Sequence, residues 1–131
     1  MVDRQVKAIV EDIEKVTSGI MVKLASSIHG ELVKTTPVDT GWARANWVAT
    51  AGAPFSFKAK AVKDPQPSNI ASLSLKQQAS IVRLSAYRLS AGALFITNNV
   101  PYINRLNHGH SKQQPPGFIQ RSIDKGIRKL K

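Results

Sequence analysis

Thr36-Pro-Val-Asp-Thr-Gly-Trp-Ala-Arg-Ala-Asn-Trp47 decides how this chain folds, because a long helical pattern ends at Pro37 and a strand-like pattern begins just after Gly41. Pro37 has no amide hydrogen and pushes Thr36 out of the helical region, so the preceding helix must stop. Asp39 and Thr40 can each bond nearby backbone amides, and Gly41 can take a positive φ, so a tight turn is expected. From Trp42 onward Trp42, Arg44, Asn46 and Val48 alternate with Ala43, Ala45, Trp47 and Ala49, which predicts a strand with Arg44 and Asn46 on one face. Asp39 has no sequence-local base or second carboxylate, so it reads as a pin for the turn and not as a catalytic acid.

Before that corner, Val6, Ile9, Ile13, Val16, Ile20, Leu24, Ile28 and Leu32 step by three or four and trace one face of a helix from Val2 to about Lys34. At about 1.5 Å per residue such a helix spans about 50 Å, more than the width of a domain this size. It must overhang and find a partner, or break at Gly19 and fold back. After the corner, Gly52, Pro54, Pro65 and Pro67 with Lys58, Lys60 and Lys63 predict a flexible loop over roughly residues 52–71. That loop is either a solvated surface segment or a basic arm that orders on an anionic partner.

Leu75, Ala79, Val82, Ala86 and Leu89 predict a second helix over about 74–90, closed by Gly92. Ala93 to Thr97 reads as a buried strand, Tyr102 to Leu106 as a helical turn, and His108 to Gly117 as irregular. Ile119, Ile123, Ile127 and Leu130 predict a last helix whose exposed side carries Arg121, Lys125, Arg128, Lys129 and Lys131. This order predicts one α+β domain over residues 1–131, with a long N-terminal helix and further helices packed on a small, mostly antiparallel sheet.

The 131 residues suffice for one core, and 19 Lys and Arg against 8 Asp and Glu leave a formal charge of +11. That charge suits nucleic acid, an anionic membrane or an acidic protein neighbour. Without cysteine there is neither a disulfide nor a thiolate zinc site. The N-terminus lacks the order of a signal peptide and no apolar run approaches the ~20 residues of a membrane span, so a soluble protein is expected. His108 and His110 supply two imidazoles, too few for a metal centre, and His29 lies far off in the first helix. Ser111 lacks a nucleophile elbow, and no glycine-rich phosphate loop is present. No enzyme, cofactor or metal is expected. The few aromatics do not interleave with the basic residues, and no helix-turn-helix or zinc-finger pattern appears.

Taken with Asn98-Asn-Val-Pro-Tyr-Ile-Asn-Arg-Leu-Asn-His-Gly-His-Ser-Lys-Gln-Gln-Pro-Pro-Gly117, the corner resembles the tail-completion proteins of long-tailed bacteriophages, of the lambda minor tail protein Z type. The resemblance covers nearly the whole chain and is weakest from Ala51 to Ser72. It implies a virion structural protein of the head-tail neck that completes the tail and lets head and tail join. Such a protein acts as a subunit of a hexameric ring against neighbouring neck, terminator and tail-tube proteins. It would meet host cytoplasm during assembly, no membrane, and DNA only nonspecifically in the lumen. Pro37, Asp39, Thr40, Gly41 and Arg44 would fix the corner, while Tyr102, Arg105, Gly109, Lys112, Gln113, Pro115 and Pro116 would shape an interface loop. Related proteins tend to carry an acid where this chain has Asn107, which puts any salt bridge of that acid in doubt. A tail terminator capping the tube is the alternative within the virion class. A small basic nucleic-acid-binding protein is the alternative from another class.

Overall fold

In a computed structural model, which describes residues 2–37, 42–57, 75–109 and 114–130, the chain is α+β. Helix α1 (Val2–Thr35) runs without interruption through Gly19 and ends at the corner. Helix α2 (Trp42–Ala45) follows, then strand β1 (Val48–Ala51), helix α3 (Leu75–Ser85), a 3₁₀ turn (Leu89–Ala91), strand β2 (Leu94–Thr97), helix α4 (Ile103–Asn107) and helix α5 (Phe118–Arg128). β1 and β2 pair antiparallel, with Val48 opposite Thr97 and Ala51 opposite Leu94.

Two expectations about this sheet are corrected. The strand expected from Trp42 starts at Val48, because Trp-Ala-Arg-Ala closes into a helical turn instead. Alanine is the strongest helix former, and alternating alanines satisfy either period, so alternation alone could not decide. The turn's carbonyls also accept from elsewhere: Asn98 Nδ2 donates to Ala43 O at 2.8 Å and Gln77 Nε2 to Arg44 O at 2.5 Å. The second strand, expected to be buried, is half-buried throughout Leu94–Thr97. α3 also stops short of Ser90, at Ser85, and the chain then enters the 3₁₀ turn before Gly92.

The core has two parts. Leu32, Ala43, Trp47, Val100, Leu106 and Phe118 pack where the end of α1 meets α2, α4 and α5. Ala25, Ala49 and Leu84 join α1 to β1 and α3. Ala49 is fully buried, and its small side chain lets α3 approach until Ser80 Oγ accepts the Ala49 amide at 2.9 Å.

α5 lies along the C-terminal half of α1, and the residues that face inward are Phe118, Ser122 and Gly126. The expected apolar line fares differently: Ile119 and Ile123 are half-buried, while Ile127 and Leu130 are 41% and 42% exposed. The reason is proximity. A Cβ on Gly126 would stand 2.8 Å from Ile28 Cα, so only glycine allows the two helices to close this far. Ser27 Oγ uses the closeness to donate to Gly126 O at 2.8 Å, and the Thr35 and Ser122 hydroxyls meet at 2.5 Å.

Candidate assembly interface

The corner is built around Thr36. Its hydroxyl donates back to Leu32 O at 2.5 Å and accepts the Trp47 indole N–H at 2.7 Å, and Pro37 beside it is buried. Trp47 is thereby fixed at both ends, since its carbonyl accepts a bond from His29 Nε2 at 3.3 Å. The carbonyl can only accept, so Nε2 carries the proton in the neutral ring. Burial pushes the His29 pKa below its usual value, only partly opposed by that bond. Arg44 Nη2 donates to Lys34 O at 3.3 Å, while its Nε is buried with no partner among the described residues. Burial lowers the Arg44 pKa as well. Asp39, Thr40 and Gly41 lie outside the described residues.

The second motif forms a compact bracket between α4 and α5. Tyr102 precedes α4 and packs half-buried against the core, and Arg105 is exposed. Gly109 has φ +98°, and a Cβ there would stand 2.7 Å from Pro116 Cγ, so this turn accepts glycine alone. Arg121 clamps the other side, donating to Pro115 O at 2.9 Å and also to Pro116 O. Asn107 Oδ1 accepts the Ile119 amide at 2.9 Å and its Nδ2 donates to Gln120 Oε1 at 3.1 Å. Asn107 therefore caps α5 from a distance, a task that needs an acceptor oxygen and no charge. His108 Nδ1 donates to Asn104 O at 2.6 Å. Lys112 and Gln113 lie outside the described residues, as does His110, so the His-x-His pattern stays a sequence feature.

Of the basic surface, Lys58, Lys60, Lys63 and Lys131 also fall outside the described residues. Among the others, Arg128 is exposed, Arg121 is engaged by the proline bracket, and Lys125 and Lys129 converge on one buried carboxylate. That carboxylate is Glu31, 2% exposed, with Lys125 Nζ at 3.7 Å and Lys129 in direct contact. The Lys129 hydrogen bond, reinforced by the nearby lysine charges, holds the Glu31 pKa below its usual value against the opposing effect of burial. Sequence reading missed Glu31. Part of the signal was present: it sits seven residues after Leu24 on the apolar side of α1, and Lys125 and Lys129 are spaced four apart at the end of the last helix.

Among the described residues, the largest exposed apolar surface lies at the other end of the molecule. Leu89 N donates to Ser18 Oγ at 2.8 Å, and beyond that point every residue from Asp3 to Val16 is exposed. This arm extends about 21 Å at helical rise. Val6, Ile9, Val10, Ile13, Val16 and Ile20 are each between 46% and 63% exposed. Together they present roughly 600 Å² of surface, at the upper end of the largest apolar patch on a typical monomer. Residues 6, 9, 13, 16 and 20 step three and four, the seam of a helix that packs on another helix. The arm's opposite face overhangs an open cleft of about 650 Å³ lined by Glu11, Glu14, Tyr87 and Arg88.

Among the described residues no helix is long and apolar enough to cross a membrane, and no cluster of three metal-ligating side chains occurs. Comparison with protein families, curated proteins and solved structures gives no match.

Proposed function

We propose that this protein is a structural component of a phage head-tail neck, a ring subunit that completes the tail end so that head and tail can join. The observation that supports this most is the arm: a continuous helix carries exposed β-branched residues beyond a body whose own core is closed. A monomer gains nothing from holding that surface in water, whereas a ring subunit covers it with its neighbour. The two sequence motifs add to this, since one closes the corner under Trp47 and the other is held at its C-terminal end by Arg121 on the proline carbonyls. The function needs no catalysis, only surfaces held at fixed spacing.

The test is sedimentation of the purified protein with tail tubes that lack neck proteins. Retention at tube ends, at about six copies per end, is the expected result for a ring that follows the tube's symmetry. The nucleic-acid reading predicts the reverse: no retention on tubes, and tight DNA binding that falls steeply as salt rises. The engagement of Arg121, Lys125 and Lys129 within the chain favours the assembly reading, because those cations already have partners.

A further inference from the structure

The arm's apolar seam continues an interface that the molecule already uses. α5 packs against the face of α1 that carries Ser27, Glu31 and Thr35. At 3.6 residues per turn, Val6, Ile13 and Ile20 lie on that same side further towards the N-terminus. α5 ends at Arg128 before reaching them, and Ile127 and Leu130 are left partly exposed at its end. A helix laid on the arm would extend the α1–α5 contact by several turns.

The chain itself offers a helix with the matching surface. Ile81 and Val82 on the outer side of α3 are 47% and 66% exposed, and exposed Gln78 and Ser85 lie on the same side. Charge separates the two surfaces. The arm holds Asp3, Glu11, Asp12 and Glu14, four of the chain's eight carboxylates, against Arg4, Lys7 and Lys15, which leaves it slightly negative in a chain of net charge +11. From Leu75 to Gly109 there is no carboxylate, and Arg83 and Arg88 are exposed on and just beyond α3. Docking on α3 sets the slightly negative arm against a positive surface, a difference in charge that pairing two arms lacks.

We propose that the arm of one copy docks on the outer face of α3 of a second copy, through Val6 to Ile20 on one side and Ile81 and Val82 on the other. The contact joins two different surfaces, so each copy both gives an arm and receives one, and the series closes into a ring when the rotation permits. The inference deepens the assembly reading above and rests on it for the claim that copies meet.

The chain has no cysteine, so single thiols report the contact directly. Ile13→Cys and Val82→Cys proteins, carrying tags of different size, are mixed, oxidised and resolved by mass, free at high concentration and again on tail tubes. A disulfide between the two variants, formed several-fold more efficiently than between copies of either alone, is the expected result. Dominant Ile13→Cys homodimers would overturn the inference in favour of arm-to-arm pairing, and absence of the mixed disulfide in both settings would overturn it outright. Tube sedimentation of the same samples separates the two readings. A mixed disulfide without tube retention would keep this contact and discard the neck assignment. Tube retention without the mixed disulfide would discard only this contact.

Discussion

His29 and Glu31 near the end of α1 and Thr36 just past it sit within eight residues, yet each contributes to stability by a different route. Thr36→Val keeps the shape but leaves the buried Trp47 N–H without its acceptor, so a loss of about 1–3 kcal/mol in urea unfolding is expected. His29 has a lowered folded pKa, so between that value and the ordinary 6.5 the unfolded chain binds a proton that the folded chain does not. Stability therefore falls as pH drops below about 6.5, and His29→Gln should remove that slope. Glu31 titrates in a lower window. Its folded pKa is also depressed, so its stabilisation is complete above the ordinary 4.5 and is lost as pH falls through the folded value. The gap between wild type and Glu31→Gln should be widest at neutral pH and shrink below about pH 4 in denaturation curves. At neutral pH a gap of about 1–3 kcal/mol is expected, held down because both lysines are more than half exposed.

At the scale of elements, α1 and α5 are joined by small residues more than by large ones. Gly126→Val should destabilise by about 1–3 kcal/mol or more, although valine forms helix better than glycine, because the added atoms meet the α1 backbone. Thermal unfolding followed by circular dichroism would check this, and an unchanged or higher melting temperature would contradict the packing described. This explains what the sequence hid. The longer helices and their order were legible because Pro37 and the three-and-four spacing of α1 and α3 are local signals. Which face of α5 turns inward was not, since Ser122 and Gly126 carry no apolar signature and their value appears only when a second helix closes on them. The short α2 was hidden for a related reason, because its alanines fit either period and tertiary partners at Asn98 and Gln77 complete the turn. Asn107 was visible as a departure from the motif, but its capping of α5 depends on the fold of the bracket.

For the whole molecule, the sequence left two outcomes for the first helix, an overhang or a break at Gly19, and the helix is continuous. Gly19 lies where the arm leaves the body, next to Ser18, and nothing stands within 4 Å of the position a Cβ would take. Gly19→Ala should therefore stiffen the junction and stabilise the helix by up to about 1 kcal/mol, with assembly unimpaired. Part of the candidate site was legible as well: the apolar residues of the arm are plain in the sequence, but their exposure is not, because the same spacing serves the buried half of the helix. The contrast between a slightly negative arm and an acid-free α3 region can be read from the sequence, yet gains meaning only once the apolar residues of both surfaces are seen exposed. The claim that this arm is an assembly surface is tested most directly by the mass of the protein in solution across concentration, measured by light scattering with and without tail tubes. Wild type should pass from 14.3 kDa to one discrete multiple of it, free or on tubes, while an Ile9→Lys, Ile13→Lys double variant stays folded at 14.3 kDa. Wild type that remains a monomer under every condition, or a double variant that assembles as wild type does, would contradict the account.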